Sequence, residues 1–130
     1  MSAKQKALII TDGTESIKSI AKEISAILTG FSVKICPAEK FDGTDLLPAQ
    51  IFFLGCEKSE PSSFVFLEEM LSHINLASRK CGLFSVKEKT LKYLRGILKD
   101  SEADLGEPLV AENGEIKKPA LKKWLKGLVK

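Results

Sequence analysis

Histidine, tryptophan and tyrosine each occur once in this 130-residue chain, methionine twice and cysteine three times. The lone His73 and the scattered Cys36, Cys56 and Cys81 form no Cys-x-x-Cys pair and no metal-ligand spacing, so no metal site is expected. An odd number of distant cysteines is no disulfide framework, and a reduced, cytoplasmic protein is expected. Long apolar runs are also missing. Met1-Ser2-Ala3-Lys4-Gln5-Lys6 leads into only Ala7 to Ile10 before polarity returns, too short for a signal-peptide core or a membrane span. Repeats and low-complexity segments are absent, and the length suits one domain spanning residues 1–130.

The net charge of +3 is unevenly placed. Residues 115–130 carry six lysines and one acid, Glu115, which leaves 14 basic and 16 acidic residues in 1–114. The body is mildly acidic and only the tail is basic, so the overall charge is no nucleic-acid signature. The tail also carries an apolar stripe of Leu121, Trp124, Leu125 and Leu128, the pattern of a helix packed on a core with its lysines in solvent. The other reading of those lysines is docking onto an acidic partner or an anionic surface.

The most informative stretch is Leu8-Ile9-Ile10-Thr11-Asp12-Gly13-Thr14-Glu15-Ser16-Ile17. A short apolar run ends in a small polar turn, and a periodic helix begins at once, with Ile17, Ile20, Ala21, Ile24, Ile27 and Leu28 on one face. Gly30 stands where a helix cap would. Phe31 to Cys36 alternates as an edge strand does, and Pro37 closes it. Phe41 to Pro48, with Asp42-Gly43, reads as a turn. Gln50 to Gly55 is continuously apolar, the mark of a strand buried on both faces. Phe64, Leu67, Met70, Leu71 and Ile74 predict a second helix reaching about Ser78, with His73 within it and Pro61 near its start. Lys80 to Ser85 is a fourth strand, running into a helix carrying Leu91, Leu94, Ile97 and Leu98. Pro108 to Ala111 reads as a weak last strand, Asn113-Gly114 as a turn, and a final helix follows Pro119. Strands alternating with crossovers long enough to hold helices predict a three-layer α/β fold with a doubly wound, parallel, five-stranded sheet.

The whole chain resembles a flavodoxin. The resemblance rests on the strand, Thr/Ser-rich turn and helix at the front, on Phe53-Leu54-Gly55-Cys56 closing the third strand, on Phe64 to Leu71 after a polar loop, and on Gly82-Leu83-Phe84 in the fourth strand. It implies strand order 2-1-3-4-5, an FMN site at the carboxyl end of the sheet, and low-potential electron transfer to a redox partner protein. It also implies that the site draws on Thr11, Asp12, Gly13, Thr14, Glu15 and Ser16 of the first turn, Gly55, Cys56 and Glu57 after the third strand, and Ser85 and Val86 after the fourth.

The turn itself leaves two readings open. Thr11, Thr14 and Ser16 offer hydroxyls, and Gly13 a close backbone approach, for a phosphate at the helix N-terminus. Asp12 and Glu15, three residues apart, have the spacing of a capping box that would fill the same N–H groups with the protein's own carboxylates. The segments Gly55 to Pro61 and Ser85 to Lys87 contain no aromatic residue to stack on a flavin ring. Tyr93 and Trp124 fall in helical patterns that suit core packing. Cys56 faces the same crevice but has no neighbouring His or Cys to activate it. A phospho-accepting receiver domain shares the strand order, but Gly55-Cys56 stands where its acceptor aspartate belongs. The expected function is a small FMN-linked electron carrier; the alternative is a flavin-free domain of the same fold acting as an interaction or regulatory module. Either is an electron-transfer or binding protein rather than a catalyst with its own substrate.

Overall fold

A computed structural model describes residues 5–41, 44, 49–77, 79–111 and 116–128. In chain order its elements are β1 (Gln5–Thr11), α1 (Glu15–Ile27), β2 (Phe31–Pro37), β3 (Ala49–Gly55), α2 (Val65–Leu71) and β4 (Lys80–Ser85). Then come α3 (Glu88–Ile97), two short strands, β5 (Asp104–Leu105) and β6 (Leu109–Val110), and α4 (Lys118–Leu128). All strand pairs are parallel, in the order β2-β1-β3-β4-β5, with β6 also on β4. The expected 2-1-3-4-5 sheet is therefore present.

Its layers follow from the alternation of side chains along each strand. Leu8 and Ile10, Phe52 and Leu54, and Cys81 and Leu83 point to one face, where Leu67, Leu71, Leu91, Leu94 and Leu98 of the α2 and α3 side cover them. Ala7 and Ile9, Ile51 and Phe53, and Phe84 point to the other, against Ile17, Ile20 and Ile24 of α1 and Leu121, Leu125 and Leu128 of α4. Four consecutive apolar residues in β3 thus feed two cores, which is why that stretch shows no alternation in sequence. Among the described residues no helix is long and apolar enough to cross a membrane.

Four expectations are corrected. The last strand is not the single run Pro108 to Ala111: β5 begins at Asp104, and both short strands lie on the edge of β4 away from β3. Pro108, which has no N–H to give to a ladder, falls in the break between them. The second helix stops at Leu71, far short of Ser78, which lies outside the described residues. The Ser72 hydroxyl donates to the Glu69 carbonyl (2.7 Å) and the Leu76 N–H to the Ser101 carbonyl (2.6 Å), so the chain is drawn towards the end of α3. His73 accordingly lies exposed in a turn after the helix. Gly30 is not a left-handed cap; α1 closes on Leu28, whose N–H donates to the Ile24 carbonyl (3.0 Å). The final helix starts at Lys118, with Pro119 inside its first turn, where its missing N–H costs nothing. The turns expected at Asp42-Gly43 and Asn113-Gly114 lie outside the described residues.

Two glycines separate a packing role from an incidental one. A Cβ on Gly82 would stand 2.6 Å from Leu128 Cδ2 and 2.7 Å from Phe53 Cδ2, whereas one on Gly96 of α3 would meet nothing within 4 Å. Gly82→Ala is expected to destabilise the protein by about 1–3 kcal/mol through overpacking. Gly96→Ala is expected to stabilise it by roughly 0.5–1 kcal/mol by lowering the entropy cost of the helix. Urea unfolding of both variants, with midpoints moving in opposite directions, checks this.

Candidate functional site

The carboxyl ends of β1, β3 and β4 open on one crevice, and a single carboxylate organises it. Gly13, at φ +84°, reverses the chain after β1 in a conformation that favours glycine. Its N–H donates to Thr11 Oγ1 (3.3 Å). Asp12 Oδ1 accepts from the Thr14 N–H (3.0 Å) and the Thr14 hydroxyl (2.6 Å), an aspartate closing its own turn. Asp12 Oδ2 reaches across the crevice and accepts from the Glu57 N–H (2.8 Å), which ties the end of β1 to the loop after β3.

That loop is fixed from three further sides. The Ser85 hydroxyl donates to the Cys56 carbonyl (2.7 Å), Thr90 Oγ1 to the Glu57 carbonyl (3.1 Å), and the Ser16 hydroxyl to Glu57 Oε2 (2.7 Å). The Lys87 N–H closes the end of β4 onto Ser85 Oγ (3.3 Å). Thr90 is the member of this network that the sequence did not suggest. Its one signal is a β-branched hydroxyl in the first turn of a helix that follows a strand with almost no loop between.

Each expected site residue can be placed. Thr11, Asp12, Gly13, Thr14, Ser16, Cys56, Glu57 and Ser85 come together in this network. Glu15 turns away: its exposed carboxylate pairs with Lys18 Nζ at 3.3 Å. The capping box is therefore not formed, since Asp12 serves the turn and Glu57 while Glu15 serves Lys18. Thr14, the residue before α1, spends its hydroxyl on Asp12 and gives the helix no side-chain cap. Gly55 is set by packing, because a Cβ there would run into the Phe84 ring. Val86 is partly buried against the α1 and α4 side of the core.

Burial, and then the charge of Asp12, push the Cys56 thiol from its ordinary 9.0 up to about 12, the opposite of activation. Cys36 and Cys81 are buried in strands. Tyr93 packs against Phe64 with ring centroids 6.4 Å apart. Burial of its hydroxyl, followed by the charge of the nearby Glu68 carboxylate, raises its pKa. Trp124 packs on Phe53 at 5.8 Å and donates its indole N–H to the Glu107 carbonyl (2.6 Å). Both aromatic residues are thus part of the packing around the sheet. Among the described residues no group of three His, Cys, Asp or Glu side chains is placed to hold a metal ion.

No protein-family model matches this chain, and no curated protein sequence does. Solved structures do match. A short-chain flavodoxin associated with a non-canonical PDU bacterial microcompartment superposes with a TM-score of 0.81 at 17% identity, covering 98% of this chain and 97% of its own. A flavodoxin from Streptococcus pneumoniae TIGR4 gives 0.78 at 16% identity, covering 95% and 96%. Oxidised flavodoxin 2 from Bacillus cereus gives 0.79 at 19% identity, covering 95% and 97%. The fold is flavodoxin-like over nearly the whole length of both partners.

Two outcomes check the network. Asp12→Ala, which strands the N–H groups of Thr14 and Glu57, is expected to cost about 1–3 kcal/mol in urea unfolding, while Glu15→Ala is expected to stay within about 0.5 kcal/mol. Because the folded Cys56 thiol keeps its proton above pH 9 and the unfolded one loses it, Cys56 contributes stability that is lost between 9.0 and about 12. Unfolding midpoints should therefore fall across that window. At pH 8 a thiol reagent should label Cys56 only as fast as the protein opens.

Proposed function

We propose that this chain is a flavodoxin-fold protein that works without flavin, as a protein-interaction or regulatory module. The observation that carries the reading is the fate of the two hydroxyls nearest the start of α1. Thr14 donates to Asp12 and Ser16 donates to Glu57, so the donors that would meet a phosphate are satisfied by carboxylates of the protein. A phosphate entering there would bring about −2 of charge beside two acids. Like unit charges ~4 Å apart cost on the order of 4 kcal/mol at an effective dielectric of about 20. The segments 56–61 and 85–87 offer no aromatic face for an isoalloxazine ring, and Phe64, the first aromatic after β3, is fully buried. The residues present do not fit FMN.

The electron-carrier reading retains specific support. The likeness to flavodoxins extends over 95–98% of the chain, and α1 begins without a side-chain cap, leaving its first N–H groups and positive dipole end towards the crevice. On that reading the partner is a redox protein. A titration separates the two. Purified protein mixed with FMN and desalted is expected to emerge colourless and to leave flavin fluorescence unquenched. A yellow, quenching protein would overturn the flavin-free reading and establish the carrier. If the two carboxylates are what excludes the phosphate, Asp12→Asn combined with Glu57→Gln should raise affinity for inorganic phosphate by about tenfold or more.

A further inference from the structure

One face of α4 lines a cavity that shares no residue with the crevice. A groove of about 520 Å³ runs between this helix and the link from β5 to β6, within the size range of sites for small molecules. Ala120, Lys123, Trp124 and Gly127 follow at helical spacing and share one side of the helix, beside the buried row of Leu121, Leu125 and Leu128. Gly106 and Glu107 of the link supply the other wall. Two contacts hold the walls together before any ligand arrives. The Trp124 indole N–H donates to the Glu107 carbonyl (2.6 Å), and Leu128 packs so closely on Gly106 that a Cβ there would run into it. The groove is therefore formed in advance, with a mainly apolar lining. It also carries one charge of each sign. Glu107 and Lys123 are both exposed, and neither makes an ion pair among the described residues. Lys118, Lys122 and Lys126 are exposed on the same helix but do not line the groove.

We propose that this groove binds a free aromatic amino acid, a zwitterion carrying one flat ring. The ring lies against Trp124 in the space that Ala120 and Gly127 leave open. That space is real, because a Cβ on Gly127 would meet nothing within 4 Å. The carboxylate of the ligand meets Lys123, and its ammonium meets Glu107. The two charges select the class. A ligand that is only an acid brings its charge beside Glu107, and one that is only an amine brings its charge beside Lys123. A purely apolar ligand uses neither. Only a molecule with both groups satisfies both side chains at once. Exposed ion pairs are individually weak, so the ring supplies most of the affinity and the charges supply the choice. The proposal stands whatever the crevice takes, since the two sites have no residue in common.

Trp124 is the single tryptophan of the chain, so its emission reports on the groove directly. The probe is free L-phenylalanine, which is transparent where tryptophan is excited at its red edge. It is expected to shift the emission and to saturate, with half-occupancy at about 1 mM or below. 3-Phenylpropionate lacks the ammonium and phenethylamine lacks the carboxylate, and each should bind about threefold or more weakly. Free L-alanine, with both charges and no ring, should leave the emission unchanged. Lys123→Gln and Glu107→Gln should each weaken phenylalanine binding about threefold, whereas Lys122→Gln, exposed on the same helix away from the groove, should not. Gly127→Leu fills the groove and should abolish binding with an unchanged circular dichroism spectrum. The charge variants are on the surface, so the test holds even if that one unfolds. A wild type that gives no saturating shift overturns the inference. So does equal binding by 3-phenylpropionate or phenethylamine, a loss at Lys122→Gln as large as at Lys123→Gln, or undiminished binding by a folded Gly127→Leu.

Discussion

The Asp12 carboxylate is the constraint on which the crevice depends. Its two oxygens accept three hydrogen bonds, two from the turn that follows β1 and one from the loop that follows β3. Parallel strands cannot be joined by a tight hairpin, so nothing in the backbone alone aligns those two loops. A short acidic side chain does it instead, and Glu57 repays the contact by taking the Ser16 hydroxyl at the start of α1. With Ser85 and Thr90 holding the same loop from β4 and α3, four elements are fastened at one point. The hydroxyls of Thr14, Ser16, Ser85 and Thr90 are in this way all engaged with the protein's own oxygen atoms.

Beneath that point lies β3, whose Ile51, Phe52, Phe53 and Leu54 serve both cores. Burying a phenylalanine contributes roughly 1.5–3 kcal/mol, and the adjacent Phe52 and Phe53 do so on opposite faces. Two of the glycines at close approach, Gly55 under Phe84 and Gly82 under Phe53 and Leu128, are the room those rings need. Gly55 thus ends the strand for a packing reason, although it sits where a ligand-facing residue would.

The sequence was most legible where periodicity is strong. The apolar run of β3, the stripe of α1 and the stripe of α4 each point to one element and one burial pattern, and a parallel sheet with helices on both faces follows from their alternation, while the strand order is what the resemblance to flavodoxins implied. It was least legible where long-range hydrogen bonds decide. Nothing near Leu71 shows that a helix will end there, because the bond from Leu76 to Ser101 comes from 25 residues further along the chain. The split of the last strand was half visible, in Pro108, but the pairing of Asp104 and Leu105 was not. In the crevice, residue types were readable and partners were not. Asp12 and Glu15 have capping-box spacing, yet Asp12 prefers an N–H supplied by Glu57, which spacing within one helix cannot reveal.

The interrupted far edge of the sheet has its own consequence. An unbroken outer strand would present a ladder of backbone donors and acceptors to any extended chain. Here, among the described residues, that side of the sheet offers only two strands of two residues each, parted by a segment that contains a proline. Such a margin is a poor template for an added strand. Amyloid-like growth from this side is thereby discouraged by the shape of the backbone itself, and contacts there fall to side chains.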